Sequence, residues 1–382
     1  MADVIPPLDS RGRHVFGEGP TDFGLYLKPL GTVRAVMVFV DHDDAPGIDD
    51  PASVADHLLG GGQAQRLYFE QSQGKLALQV DVRSDLKWRR LPRRSDQYGE
   101  LGKDGVTFPS IALHRQYISD AANAFTRKEV DFSRFQVALV VAPREAKFSV
   151  SPAFIAGAAD AVVAPGGARI RHAVTFGRDS YHNRFINLVH EVGHVFGLPD
   201  QYPFDVAAPA DRSAAGCWSI MSDIFRANGF LAWDRRKNGW LDTSQMRYLS
   251  APGRQVVRLA PPTERDGVQM VVVPVDDPQS PSRVLVMEVA QPGVGKDDLQ
   301  PTPAEGVLVY EVDGTLDTGR SPVKVLPRAG DDPFDPNFGN LFQAPLRVNE
   351  SRPVEIGNAL VNLRVVDGDG ASFTVEVDYQ RR

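Results

Sequence analysis

Cysteine is nearly absent from this chain: Cys217 is the one thiol in 382 residues. A lone cysteine excludes an intrachain disulfide framework and leaves the redox compartment open. Long apolar runs are missing too. No stretch approaches the roughly 18 consecutive apolar residues of a membrane helix, so no membrane span is expected. Residues 1–30 lack the apolar core of a secretory signal peptide, as expected of a chain that stays inside the cell or of a mature or recombinant form. Basic charge is in deficit, with a net charge of −7. The only basic cluster is Lys87-Trp88-Arg89-Arg90-Leu91-Pro92-Arg93-Arg94, too little for nucleic acid to be the main partner. Repeats and low-complexity tracts are lacking. What remains is 42% hydrophobic and 24% charged, the balance of a soluble globular protein long enough for two domains.

Histidine is also scarce, with eight in the chain, yet two stand in one motif. Residues 190–200 read His-Glu-Val-Gly-His-Val-Phe-Gly-Leu-Pro-Asp, or H-E-x-x-H-x-x-G-x-x-D. Phe185, Val189, Val192 and Phe196, joined by Ile186 and Val195, recur at helical spacing and predict a helix here. On a helix His190 and His194 lie one turn apart on one face, from which both imidazoles can reach one zinc ion at about 2.0–2.1 Å. Glu191, beside the first ligand, is placed to act on a metal-bound water as general base. Gly197 can end the helix in a left-handed turn and Pro199 forbids its continuation. The reversed chain can then return Asp200 as a third, oxygen ligand, leaving the open position that hydrolytic zinc needs. Tyr202 either hydrogen-bonds near the metal or simply packs. Met221 suits a hydrophobic floor beneath the ion, though alone it would be an ordinary core methionine. A buried, inert thiol is expected at Cys217.

Elsewhere the pattern is that of an α+β protein. Residues 33–40 (VRAVMVFV) and 137–141 (VALVV) read as buried strands. Residues 53–73 suggest a helix interrupted by Gly60-Gly61-Gly62, and 109–127 carry helical periodicity. Residues 168–176 (ARIRHAVTF) alternate, and an edge strand there could take an extended peptide by strand addition. His172 and His182 are expected to be structural, and His42 an exposed loop histidine. Two acidic loops, one around Asp41-His42-Asp43-Asp44 with Asp49-Asp50 and one at 331–337, are either solvated or calcium sites. Beyond about residue 250, strand-like runs recur at 256–259, 268–275, 284–289, 306–312, 354–356, 360–366 and 372–379. These predict a β-rich, sandwich-like domain. The expected division is an extension over 1–30, a catalytic domain over 31–249 and a β-rich domain over 250–382.

The stretches HEVGHVFGLPDQY, SIMSD, FLAWDRRKNGWL, VMVFVDHDDAP, YFEQSQGKLALQVDV, VLVMEVAQPG and GVLVYEVD together resemble the immune inhibitor A family of bacterial zinc metallopeptidases, a metzincin-like group. The resemblance runs over most of the chain. It implies a metzincin-like catalytic domain with zinc on His190, His194 and Asp200, Glu191 as general base and acid, and Met221 in a Met-turn beneath the metal. It also implies peptide-bond cleavage and structural calcium. Such proteins are usually secreted with a signal and a propeptide, neither of which is visible here. The expected partner is a protein or peptide substrate, and the oligomeric state is not legible. Two rivals carry the same motif: a zinc hydrolase of non-peptide amides, and a binding protein that retains the zinc fold. An intact Glu191 speaks against the latter, because a purely structural site needs no general base.

Overall fold

The computed structural model describes residues 5–10, 16–102, 105–107, 111–204, 215–224, 229–290, 304–328 and 339–382. The protein is mixed α+β. It forms two compact units, the first made of residues 22–69 and 74–196, the second of residues 1–21, 70–73 and 197–382.

In chain order the first unit carries β1 (Gly31–Asp41), α1 (Pro51–Leu59), α2 (Gln63–Gln71, all but its last two residues), β2 (Leu76–Val82) and β3 (Arg89–Arg90). The hairpin β4 (Glu100–Gly102) and β5 (Gly105–Thr107) follows, then α3 (Ile111–Asn123), β6 (Val137–Val141) and β7 (Ala153–Ile155). β8 (Val162–Val163), β9 (Arg169–Ile170), β10 (His172–Phe176) and α4 (Ser180–Val195) complete it. The main sheet runs β2-β1-β6-β10-β7, with β3 paired to β1. Its first four strands are parallel, and β7 is antiparallel to β10. Every residue of β6 and β10 is buried, because a parallel strand covered on both faces has no solvent side. That is why VALVV shows no alternation.

The glycine triplet does split the predicted helix. The Asp50 carboxylate caps α1 by accepting from the Ser53 amide at 3.2 Å, and Pro51 opens it. Gly60 closes α1 at φ 58° and ψ 43°. A Cβ there would lie 2.7 Å from the Phe185 ring, so backbone geometry and the close approach of α4 both require glycine.

Three expectations change. The 168–176 run is two strands, and β10 is flanked by β6 and β7; it is no edge, and β7 holds that place. The alternation belongs to the first half of the run, where Arg169 is exposed and Arg171 half-buried between buried Ala168, Ile170 and His172, whereas β10 is buried throughout. His42 is fully buried rather than exposed. Its Nδ1 pairs with the Arg93 carbonyl at 3.0 Å, and Tyr98, Tyr117 and Phe148 pack around its ring, contacts no local window could reveal. The acidic loop and the basic cluster account for each other: Arg90 grips Asp41 through two hydrogen bonds of 2.8 and 3.1 Å, and Arg94 lies 3.8 Å from Asp44. The acidic loop at 331–337 lies outside the described residues.

The second unit contains α5 (Ala232–Lys237), β11 (Met246–Tyr248), β12 (Gly253–Leu259), β13 (Met270–Pro274), β14 (Arg283–Ala290) and β15 (Gly306–Asp313). β16 (Val323–Val325), β17 (Ser351–Ile356), β18 (Ala359–Gly368) and β19 (Phe373–Arg381) follow. They make a five-stranded sheet, β11-β13-β14-β15-β16, and an antiparallel four-stranded sheet, β12-β19-β18-β17. The inner face of the larger sheet (Val271, Val273, Leu285, Met287, Val309) shares a core with Leu259, Val361, Leu363 and Val375 of the smaller one, as sandwich packing requires. Its other face (Met270, Val272, Val286, Leu308, Tyr310) packs with Trp218, Leu231, Trp233 and Leu241. Successive residues of one strand thus enter different cores. Residues 197–249 thus lie in the same compact unit as these two sheets. Among the described residues no helix is long and apolar enough to cross a membrane.

Candidate metal centre

The helix that carries the motif has two parts. Asp179 caps its first turn, and Arg184, at φ 57° and ψ −142°, interrupts the helical backbone. Residues 185–195 then run on as an uninterrupted segment. The break is stapled from both sides: Asn187 Nδ2 donates to Asp179 Oδ2 at 3.1 Å, while Ser151 donates to the same carboxylate through its hydroxyl at 2.5 Å and its amide at 3.1 Å. At the other end Phe196 is the last residue of helical conformation, and Gly197 turns out at φ 88°, the left-handed exit predicted for it.

His190 and His194 are both buried in spite of their polarity. Their Nε2 atoms lie 3.1 Å apart and their rings 4.6 Å apart at 83°. Two nitrogens bound tetrahedrally at 2.0–2.1 Å would be separated by about 3.3 Å, so the pair is close to the spacing a metal demands. Ligand atoms of His190, Glu191 and His194 all fall within 4.8 Å of one another. Nitrogen donors with a neighbouring carboxylate suit zinc. Glu191 is only partly buried, unlike the histidines, which leaves its carboxylate within reach of a reacting group.

Asp200 belongs to the second unit. There its amide donates to Thr318 Oγ1 at 2.9 Å, and the same hydroxyl donates to Asp200 Oδ2 at 3.2 Å. The Gly319 amide donates to the Asp200 carbonyl at 3.2 Å. Next to it, the Gln201 amide donates to the Met221 carbonyl at 2.8 Å, so the turn containing Met221 holds the segment after the motif. Met221 is fully buried. Gln201 Nε2 bridges two buried carboxyls, donating to Glu18 at 3.0 Å and Asp234 at 2.8 Å, and burial raises the pKa of both. Tyr202 packs edge-on against Phe204, ring centres 5.6 Å apart. Cys217 is buried as expected. His172 is structural, its Nε2 bonded to the Leu25 carbonyl at 2.8 Å.

Sequence reasoning missed Tyr68, Asn187 and Thr318. Thr318 gives no signal in the sequence, lying more than a hundred residues from Asp200. Tyr68 does lie in the quoted YFEQSQGK stretch. No protein-family model matches the chain, and no curated protein is similar to it. The functional reading therefore stands on the chemistry of these residues.

Proposed function

We propose that the protein is a zinc-dependent endopeptidase with a metzincin-like arrangement, as its likeness to the immune inhibitor A family implies. The observation that carries the reading is the convergence of two buried imidazole nitrogens on one point beside Glu191. His190 and His194 would hold the ion, and the motif spacing nominates Asp200 as the third ligand and Met221 as the floor. Bound there, zinc supplies Lewis-acid polarisation and makes water a stronger acid. Glu191 takes one proton from the attacking water as its oxygen bonds to the scissile carbonyl carbon, then delivers that proton to the departing amine nitrogen as the C–N bond breaks.

Elemental analysis of the purified protein, paired with casein or mixed-peptide cleavage with and without a chelator, tests it. About one zinc per chain with chelator-sensitive cleavage is expected. Zinc with hydrolysis of small amides but not peptides would move the assignment to the non-peptide hydrolase, and a metal-free, inert protein would overturn it. Asp200→Ala should lower zinc retention by at least about tenfold; unchanged metal content would place the third ligand elsewhere.

A further inference from the structure

We propose that Tyr68, on α2, is a positioning residue that clamps the metal-binding turn of α4 from both ends; this rests on the zinc reading above. Its hydroxyl donates to the Val189 carbonyl at 2.6 Å, and the bond is buried. Its ring meets Phe196 edge-on, ring centres 5.5 Å apart at 78°. Val189 immediately precedes the first histidine and Phe196 lies two residues past the second. One side chain therefore touches the helix on either side of the whole H-E-x-x-H span, and it is itself fully buried.

The bond is an unusual use of that carbonyl. In a regular helix the Val189 oxygen already accepts from the amide four residues on, that of Gly193, and its second lone pair takes the phenol. Gly193 has no side chain to stiffen its own turn, so a restraint on its hydrogen-bond partner bears on the peptide groups between the two ligands. Neutrality of the phenol is assured: burial, and then the nearby charge of Glu191, hold its pKa well above the ordinary value. Tyr68 thus remains a donor at any working pH. A ligand pair pre-set in this way loses less freedom when a metal binds.

The test removes one oxygen atom. Zinc affinity by chelator competition, the visible spectrum of the cobalt-substituted protein, kcat and KM for a peptide, and Tm are measured for the parent and for Tyr68→Phe. The clamp predicts zinc affinity weaker by about tenfold, a shifted cobalt spectrum, and a lower kcat at unchanged KM. A role confined to packing would lower Tm alone, and zinc affinity and kcat within twofold of the parent would overturn the proposal. Phe196→Leu loosens the other end and should weaken zinc binding as well, so the idea can be judged even if Tyr68→Phe misfolds; parental affinity in Phe196→Leu would then count against it. A parent that binds zinc without cleaving peptides removes the peptidase reading and leaves the clamp to stand or fall on affinity and spectrum. A parent that binds no metal overturns both.

Discussion

At the scale of single residues, the proposed chemistry concentrates in Glu191. Replacing it by Gln keeps the shape and the neighbours but removes the proton acceptor. A general base contributes about 10²–10⁴-fold, so Glu191→Gln should lower kcat by about a thousandfold with one zinc still bound; near-parental turnover would sink its role. A histidine outside the motif makes a different prediction. His114, on α3, is buried with its Nε2 2.9 Å from Thr175 Oγ1, and burial pushes its pKa from 6.5 down to about 3. The folded form keeps this ring neutral while the unfolded chain protonates it below pH 6.5, so the unfolded state gains protons across that window. The stabilisation is present above pH 6.5 and is lost as pH falls toward 3, by up to about 5 kcal/mol. Urea unfolding at a series of pH values should show that fall in the parent and a shallower one in His114→Gln. Equal slopes would mean the ring is hydrated in the folded protein.

At the scale of elements, α4 pairs a legible part with an illegible one. Its apolar spacing, its two histidines and its glycine exit were all readable, because helix periodicity and a left-handed terminus are local properties. The break at Arg184 was not, since nothing local asks for it. It is held by Asn187, Asp179 and Ser151, which meet only in the folded chain. The same limit explains His42, whose aromatic surroundings come from three distant segments, and β10, whose neighbours set its burial. Strand positions in the β-rich part were legible as apolar runs, but not the core that each strand face enters. A non-glycine residue in the Arg184 conformation is strained by about 1–3 kcal/mol. Its side chain is exposed, so little packing is lost with it. Arg184→Gly should relieve the strain at an unfolded-state cost of about 0.5–1 kcal/mol, a net gain of about 1 kcal/mol and a rise in Tm of about 2 °C. A lower Tm would show that the backbone there is comfortable with arginine.

At the scale of the whole molecule, one compact unit spans the expected boundary near residue 250. Residues 197–249 belong to the same compact unit as the β-sheets, and the reason is in the larger sheet. Met270, Val272, Val286, Leu308 and Tyr310 form one core with Trp218, Leu231, Trp233 and Leu241, and β11 is hydrogen-bonded to β13 as the sheet's outer strand. Two polar ties cross the same sequence boundary: the Tyr310 hydroxyl accepts from the Trp233 amide at 3.2 Å, and Glu288 accepts from the Ala232 amide at 2.7 Å. Asp200 is itself held by Thr318. A chain ended after residue 249 would expose two tryptophans and two leucines that are now buried, each worth about 1.5–3 kcal/mol or more of lost burial. That sum is comparable to the whole stability of a typical domain. In the fragment 1–249, residues 197–249 should therefore lose their fixed packing, bind a hydrophobic dye and be cut by a protease that spares them in the full chain. A fragment in which residues 197–249 resist the protease as they do in the full chain would instead make residues 250–382 dispensable for folding the segment that carries Asp200 and Met221.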